Sequence, residues 1–446
     1  MFKRKIYDEL LAWKSASKGS TALLVEGARR VGKSTVVEEF AKAEYETYLL
    51  IDFTKVTDGF KQTFLDTRSD MDSFFLYLSA EFGADLRERK SLVIFDEVQA
   101  FPQAREFVKH LVADGRYDYV ETGSLVSIKE NVKDILIPSE EESRRMGPMD
   151  FEEFLWALGE DALAAMIRRS FGSRQNLPET LHRKADRLWR EYMLVGGMPQ
   201  AVAAYADSRD FGDADRAKRE ILRLYRDDIA KFAKGYEARV RALFNAIPEQ
   251  LSRKEKKYRL SSIRKEARFR EYEDAFTWLD DARVVNPCLN ATEPTAGLGF
   301  SAEHATQKLY MGDTGLLVTH AYDDGRYMDN ALYREIFFGN AGVNNGMVAE
   351  NAVAQAFRAS GRKLFFYSRA DPKTRKNNIE IDFLLRRGGR ICPVEVKSGN
   401  YRSHASLDKF RAKFGSRLAP PVILYTKDVM QKDGILHLPL YMAMFL

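Results

Sequence analysis

Eight consecutive residues early in the chain have the spacing of a phosphate-binding loop. Residues 27–34 read Gly-Ala-Arg-Arg-Val-Gly-Lys-Ser, which matches the pattern G-x-x-x-x-G-K-S. They follow an apolar strand and precede a helical stretch, which is the context that this motif requires. The glycines allow backbone N–H groups to surround phosphate oxygens, and the helix N-terminus faces the same anion. The pattern therefore predicts a P-loop.

The residues of this loop have separate expected roles. We expect Lys33 to contact the β- and γ-phosphates of a nucleotide and Ser34 to bind Mg²⁺. The rest of the predicted nucleotide site is Gly27, Ala28, Arg29, Arg30, Val31, Gly32 and Thr35. A glycine turn that matches by chance is the alternative, and the flanking strand and helix disfavour it. The expected cofactors are ATP or ADP with Mg²⁺.

An acidic strand is the second part of this predicted site. Residues 91–97 read SLVIFDE, an apolar run that ends in Asp96 and Glu97. Such a run is typical of a central parallel strand, whose carboxyl end is where ligands bind. We expect Asp96 to hold Mg²⁺ through water and Glu97 to polarise the attacking water. An N-cap after a strand is the alternative reading of these two residues.

Two more strands are expected in the same sheet. Residues 47–54 (TYLLIDFT) and 117–124 (YDYVETGS) are apolar runs that end in polar residues. A polar residue on a strand between the P-loop strand and the acidic strand can sense the γ-phosphate. Thr122 is the candidate and Ser124 the alternative, and a helix cap at Ser124 explains that residue equally well.

Four charged residues in the last quarter of the chain form a second predicted site: Glu350, Asp382, Glu395 and Lys397. The first lies in a helical pattern and the others in two strand-like runs, IEIDFLL and ICPVEVKSG. Residues 395 and 397 share one strand face because side chains alternate along a strand. Carboxylates suit Mg²⁺, and a lysine beside them can orient water. A plain Glu395–Lys397 ion pair is the alternative.

This order of residues resembles the core of the PD-(D/E)XK nucleases, as arranged in Holliday-junction resolvases. The resemblance implies that Asp382 and Glu395 bind Mg²⁺ together with the carbonyl of Val396, that Glu350 completes the metal shell, and that Lys397 activates water. Basic residues around the site would suit a phosphate backbone: Arg369, Lys373, Arg375, Arg386 and Arg387. A nuclease-like fold that no longer cuts is the alternative.

Nearly the whole chain, from residue 4 to residue 399, resembles the prokaryotic AAA-type ATPases with a C-terminal region of unknown function. The segments that carry the resemblance read RKIYDELLAW, GARRVGKST, VIFDEVQAFP, ETGSLVSIKENVKDILIPSEEE, GPMDFEEFLWALGE, YMLVGGMPQAV, KLYMGDTGLL and EVKSG. Many relatives have a Gly-Arg pair ahead of FEEF, where this chain has Arg144 and Arg145. Either arginine could reach a phosphate, in cis or from a neighbouring subunit. Pairing with nearby acidic residues is the alternative.

The predicted fold class is multidomain α/β. We expect an AAA-type domain with a doubly wound parallel P-loop sheet at 1–150, a helical lid at 151–250, a winged-helix-like domain at 251–335 and a restriction-endonuclease-like α/β domain at 336–446. Residues 252–270 hold nine Lys or Arg and two Glu. They are expected to form a basic helix along DNA phosphates, with a solvated helix face as the alternative.

Composition limits the classes of protein that fit. The net charge is only +5, so a nucleic-acid partner must be inferred from local clusters. The two cysteines lack metal-binding spacing, and no signal peptide or membrane span is expected, so a cytoplasmic protein is predicted. The predicted function is ATP hydrolysis coupled to DNA, with a Mg²⁺-dependent nuclease-like domain. The alternative is a nucleotide-dependent switch that binds DNA or protein without cutting. A homo-oligomer is possible in both, and no protein partner is predicted.

Overall fold

A computed structural model describes residues 1–124, 135–253, 257–323, 328–338, 345–369, 379–399 and 403–446. The chain forms two compact units. The first contains Met1–Gly147 and Asp281–Arg283, and the second contains Pro148–Asp280 and Val284–Leu446. The four-domain division stays a prediction. None of the described helices has the length and apolar character needed to span a membrane.

The first unit is built on one parallel sheet in the order β2-β3-β4-β1-β5. Its strands are β1 Ala22–Glu26, β2 Thr47–Asp52, β3 Ser91–Asp96, β4 Asp118–Gly123 and β5 Glu141–Arg145. Every residue of β1, β3 and β4 is buried, as expected for central parallel strands with continuous apolar runs. The predicted α/β class with a parallel sheet is confirmed.

Among the described residues, five helices belong to the first unit: α1 Ile6–Ser17, α2 Lys33–Glu44, α3 Asp58–Thr67, α4 Met71–Phe82 and α5 Pro102–Asp114. Side-chain oxygens cap two of them, Thr57 at the start of α3 and Asp70 at the start of α4. The core on one side of the sheet is rich in aromatic rings. Phe64 makes edge contacts with Phe74 and Phe101, with ring centroids 4.9 and 5.4 Å apart.

The second unit contains the remaining helices: α6 Phe151–Ala157, α7 Asp161–Ser173, α8 Glu179–Val195, α9 Pro199–Ser208, α10 Phe211–Phe232, α11 Glu237–Ser252, α12 Phe269–Asp281, α13 Thr314–Ala321, α14 Asn330–Phe338, α15 Asn345–Ala359 and α16 Ala405–Phe414. The last residue of α12, Asp281, falls in the first unit. Short 3₁₀ turns lie at Leu260–Ser262, Leu298–Ser301, Gly415–Arg417 and Leu440–Phe445, and another, Val98–Ala100, lies in the first unit.

The described residues of the second unit form two sheets. Their strands are β6 Val285–Ala291, β7 Ala302–Met311, β8 Leu364–Arg369, β9 Ile379–Ile381, β10 Phe383–Arg387, β11 Arg390–Lys397, β12 Val422–Tyr425, β13 Met430–Lys432 and β14 Ile435–Pro439. One sheet has the order β10-β11-β12-β14-β13 and the other β7-β6-β8-β9. The second sheet pairs β6 with β8 and so joins residues on both sides of the predicted boundary at 335/336.

The basic stretch 252–270 differs from its prediction. Helix α11 ends at Ser252 and α12 begins at Phe269. The described residues between them, 253 and 257–268, contain only the 3₁₀ turn Leu260–Ser262. The expectation of a basic helix is therefore wrong for these residues. Apart from the buried Tyr258, the apolar residues within 257–268 are Leu260, Ile263 and Ala267, which are only half-buried, so a helix there would bury little apolar surface.

Candidate nucleotide site and C-terminal carboxylate cluster

The P-loop is held against β5 by a close backbone approach. The N–H of Met146 donates to the carbonyl of Glu26 at 2.8 Å. A Cβ atom added at Gly27 would lie 2.1 Å from the carbonyl oxygen of Met146. Only glycine fits at this position, since real Cβ atoms do not approach backbone oxygen so closely. The first glycine of the motif is therefore a packing requirement as well as a phosphate-binding one.

Lys33 is buried at the first turn of α2. Its side chain is only 4% exposed, and its ammonium donates to the carbonyl oxygens of Gly27 and Ala28, both at 3.1 Å. Burial lowers the pKa of Lys33, and the carboxylates of Glu97 and Asp96 oppose that shift. A buried ammonium that is bonded to neutral carbonyls is incompletely neutralised. An incoming anion would complete its environment.

Three predicted site residues meet at the end of β3. The hydroxyl of Ser34 donates to Asp96 Oδ1 at 2.7 Å, and the hydroxyl of Thr122 donates to the same oxygen. Thr122 reaches it because β4 lies between β1 and β3 in the sheet. Burial raises the pKa of Asp96, while the Thr122 and Ser34 hydrogen bonds oppose that rise. The adjacent hydroxyl and carboxylate oxygens of Ser34 and Asp96 fit Mg²⁺, which prefers oxygen ligands.

Glu97 lies directly after β3 in the left-handed region, with φ of 55°. The amide of Gln99 donates to Glu97 Oε2, and the Ser124 hydroxyl lies 3.5 Å from that oxygen. Thr122 and Ser124, which the sequence offered as alternatives, therefore contact different carboxylates. Sequence reasoning missed Gln99, which orients Glu97. Its only signal is a polar side chain within the turn that follows the acidic strand.

Both arginines considered as phosphate contacts form ion pairs. Arg144 lies 2.9 Å from Glu142, and Arg145 lies 2.8 Å from Glu26. Glu26 also contacts Arg283 at 3.3 Å. Burial would raise the pKa of Glu26, but Arg283 and Arg145 lower it below its usual value. A role of either arginine towards a phosphate stays a prediction.

The four predicted C-terminal residues belong to the second unit. Glu350 lies on α15, Asp382 lies between β9 and β10, and Glu395 and Lys397 lie on β11. Glu350 is buried on α15, and its Oε1 accepts from the ammonium of Lys308 at 3.1 Å and from the hydroxyl of Tyr310. Lys308 also lies 3.1 Å from Glu380 Oε1. Sequence reasoning missed Lys308 and Tyr310. The KLYMGDTGLL segment that contains them was noted, but no role followed from it.

The other three predicted residues also have partners within the protein. Asp382 Oδ2 accepts from the N–H of Val396 at 2.9 Å. Glu395 is buried, and Lys397 Nζ lies 2.8 Å from its Oε2. The Glu395–Lys397 ion pair that was the alternative reading is therefore present. Lys373 and Arg375, predicted to flank the site, lie outside the described residues.

The contacts of Glu350 do not fit its predicted place in a Mg²⁺ site. Within the described ranges, no group of three or more His, Cys, Asp or Glu is arranged to hold a metal ion. An ammonium and a hydroxyl bond the carboxylate of Glu350, and a backbone N–H bonds Asp382. The chain's own donors thus bond one oxygen of Glu350 and one of Asp382. Among the described residues, Glu395 Oε2 accepts no hydrogen bond, although Lys397 Nζ lies 2.8 Å away, so a metal held by Asp382 and Glu395 stays a prediction.

Three of the segments that carry the resemblance meet at a separate point of the second unit. The N–H of Gly197 donates to Asp313 at 2.6 Å, and the N–H of Met149 donates to the carbonyl of Gly197 at 2.7 Å. A Cβ atom at Gly197 would lie 2.0 Å from the Met149 carbonyl oxygen. Asp313 is fully buried, and burial raises its pKa. The GPMDFEEF, VGGMPQAV and YMGDTGLL segments therefore pack together as a structural element.

Three family models match parts of this chain. Residues 19–155 match an AAA domain. Residues 186–325 match a domain of unknown function (DUF8612), and residues 345–442 match another domain of unknown function (DUF4143). A search of curated proteins found no match. Of the three family descriptions, only that of the AAA domain points to an activity.

Several solved structures are similar at low identity. The Walker-type ATPase PABY2304 of Pyrococcus abyssi is 16% identical, with 72% of this chain and 96% of that chain covered and a TM-score of 0.43. PCH-2 of C. elegans is 12% identical over 42% of this chain and 52% of that chain, with a TM-score of 0.24.

The Signal Transduction ATPase with Numerous Domains (STAND) protein PH0952 from Pyrococcus horikoshii, which has a tetratricopeptide repeat sensor, is 10% identical. The alignment covers 80% of this chain and 48% of that chain, with a TM-score of 0.29. All three TM-scores are low, so no conclusion rests on these structures. The AAA-domain match over residues 19–155 and the geometry of the P-loop support a P-loop ATPase of the AAA type that binds and hydrolyses ATP.

Proposed function

We propose that this chain is an ATP-hydrolysing switch of the AAA type that binds DNA without cutting it. The observation that carries the ATPase part is the meeting of Ser34 and Thr122 on Asp96, beside the buried Lys33 and followed by Glu97. This set supplies a phosphate cation, two oxygen ligands for Mg²⁺ and a carboxylate for water activation.

Each residue has a defined task in this proposal. Lys33 leaves its two carbonyl partners and contacts the β- and γ-phosphates. Ser34 and Asp96 hold Mg²⁺, which neutralises phosphate charge when bound. Glu97, oriented by Gln99, accepts a proton from the attacking water. Thr122 remains on Asp96 and senses whether the γ-phosphate is present.

The proposed DNA contact is the exposed basic segment. Within residues 257–270, six cations stand against one carboxylate, Glu266. All six are exposed: Lys257, Arg259, Arg264, Lys265, Arg268 and Arg270. Phosphate contacts need positive charge on an accessible surface and no particular base-reading side chain. The segment therefore suits binding that does not depend on sequence.

Mg²⁺-dependent DNA cleavage is the second candidate function. The antiparallel register pairs Phe383 with Val394, so Asp382 precedes β10 on the strand opposite Glu395. Among the described residues, the buried Glu395 Oε2 accepts no hydrogen bond, and a carboxylate oxygen without a donor favours this second candidate. The winged-helix and restriction-endonuclease-like folds, a homo-oligomer and a cytoplasmic location stay predictions.

A Glu97→Gln variant tests the proposed switch. We expect ATP hydrolysis to fall by at least about 100-fold, because the water loses its proton acceptor, while ATP binding persists. Phosphate release gives the rate, and nucleotide analysis after gel filtration gives the retained ATP. The same proteins are titrated into labelled duplex DNA with ATP or ADP, and the two nucleotides should give different DNA affinities.

Glu88→Gln is the matched control, since Glu88 is an exposed glutamate of the same unit. It should hydrolyse ATP at the wild-type rate. Wild-type turnover by Glu97→Gln would refute the role of Glu97. Equal DNA affinity with ATP and ADP would refute the switch, and DNA cleavage in Mg²⁺ by the wild type would favour the second candidate.

A further inference from the structure

Lys308 is a fully buried cation beside three carboxylates, those of Glu350, Glu380 and Asp382, which form the C-terminal carboxylate cluster. It lies on β7 with no exposed surface. Its ammonium is 3.1 Å from Glu350 Oε1 and 3.1 Å from Glu380 Oε1. The ring of Phe366 covers it, with the centroid 4.9 Å away. The lysine thus joins the helix that carries Glu350 to the strand that carries Glu380.

The surroundings keep this lysine charged. Two carboxylates, those of Glu350 and Glu380, lie 3.1 Å from the ammonium and favour its charged form. Lys308 therefore places a positive charge against Glu350, which was predicted to complete the shell of a divalent ion. The charge comes from the protein itself.

A divalent ion at Glu350 would have to displace this ammonium or lie beside it in a buried environment. Displacement would leave Lys308 charged and unpaired, and coexistence would place like charges together at low effective dielectric. Tyr310 already donates to the Glu350 oxygen that Lys308 contacts. Both routes are therefore unfavourable in the wild-type chain.

We propose that Lys308 is the resident cation of this cluster and takes the place of a divalent metal. The second unit then keeps its carboxylates together without Mg²⁺. This inference deepens the proposed binding without cutting and does not rest on ATP hydrolysis, because none of its residues belongs to the P-loop site. A metal-free cluster of this kind holds strands and a helix in position and performs no metal-assisted hydrolysis.

Mn²⁺ binding to the full-length, nucleotide-free protein tests the proposal. Electron paramagnetic resonance measures free Mn²⁺ at millimolar concentration in the presence of each variant. The wild type should bind no ion at the cluster. Lys308→Met should gain one bound ion per chain, since two carboxylates lose their cation, and Lys308→Met/Glu350→Gln should lose that ion again.

Two further variants act as controls. Lys308→Arg keeps the charge and should gain no ion. Lys397→Met removes the other lysine of the predicted site and should also gain none, because Lys308 still contacts Glu350 and Glu380. Wild-type protein that binds Mn²⁺ and loses it on Asp382→Asn would overturn the proposal. So would a folded Lys308→Met protein, verified by circular dichroism, that gains no ion.

The wild-type and Lys308→Arg measurements decide the question if Lys308→Met fails to fold. ATP hydrolysis is assayed separately with Mg²⁺ present. A chain that hydrolyses no ATP but binds no Mn²⁺ at the cluster would refute the ATPase part of the proposed function and leave this inference standing. A chain that hydrolyses ATP but binds Mn²⁺ at the cluster would refute this inference and leave the ATPase part standing.

Discussion

Two buried lysines, Lys33 in the first unit and Lys308 in the second, have opposite surroundings. Lys33 donates to two neutral carbonyls, and burial lowers its pKa. Lys308 lies against two carboxylates, and despite its burial they raise its pKa. Burial is nearly complete in both cases. The partners, and not the burial, decide whether the buried cation still requires an anion.

This difference separates a site that is prepared for a ligand from one that is already complete. A nucleotide phosphate would supply Lys33 with the negative charge that its carbonyl partners lack. Lys308 would gain nothing from another anion, and its carboxylates would gain nothing from another cation. A charged cluster is thus informative about ligands only when its internal pairing is known.

Removal of the P-loop cation should have the largest effect. Lys33→Ala should lower the rate of ATP hydrolysis by about 100-fold to 1,000-fold, because the phosphates lose a charged contact. Phosphate release by the purified variant measures this. Lys42→Ala is the control, since Lys42 lies on the same helix in surface pairs with Glu38 and Glu39. Wild-type turnover by Lys33→Ala would mean that Lys33 does not serve the nucleotide.

Loss of the Glu350 carboxylate from the C-terminal carboxylate cluster should lower the stability of the second unit instead. Glu350→Gln leaves Lys308 short of a buried partner, and we expect the free energy of unfolding of the second unit to fall by about 3–5 kcal/mol. Urea unfolding followed by circular dichroism measures the change. ATP hydrolysis at low denaturant should be unaffected.

Glu380→Gln is the matched variant, because Glu380 pairs with the same lysine but its side chain is 29% exposed. Its cost should be about 1 kcal/mol or less. If Glu350→Gln and Glu380→Gln lowered the free energy of unfolding equally, the difference in burial would not explain the stability of the cluster.

The smallest expected effect is a pH dependence of ATP binding. The folded-state pKa of Lys33 is lowered, so its charged form opposes folding, and this penalty falls as pH rises above the folded-state pKa and disappears above the unfolded-state pKa. Bound phosphate favours the charged form, so ATP affinity should fall several-fold as pH rises from neutral towards the ordinary lysine pKa of about 10.4. Titration with a fluorescent ATP analogue measures this affinity.

Lys33→Arg provides the test of this assignment, since arginine does not titrate in this range. The pH dependence should disappear in that variant even if the affinity itself is lower. An unchanged pH profile in Lys33→Arg would assign the effect to another group.

Local spacing made the nucleotide site readable from the sequence. The P-loop, the acidic strand and the strand with Thr122 each have their own periodicity, and parallel sheets bring such strand ends together. The hairpin of β10 and β11 was predictable for the same reason, because its two strands are neighbours in the sequence. Lys308 was missed because it reaches Glu350 across 42 residues and Glu380 from a different strand pair. No motif records such long-range pairing.

The same limit applies to the domain division and to the basic stretch. The hydrogen bond between Gly197 and Asp313 joins residues 116 positions apart, so the sequence did not predict that their segments pack together. The basic stretch has charge but no apolar periodicity, so its composition predicted its exposure and not its conformation. Charge alone does not specify secondary structure.

The pairing of β6 with β8 has a consequence for how the protein can be divided. β8 lies between β6 and β9, so a fragment that begins at residue 336 would expose its N–H and C=O groups along one side. An unpaired, largely apolar strand of this kind recruits other chains and promotes aggregation. Fragments that retain residues 285–311 should therefore stay monodisperse where shorter ones precipitate, and proteases that cut within that hairpin would destabilise a sheet far along the sequence.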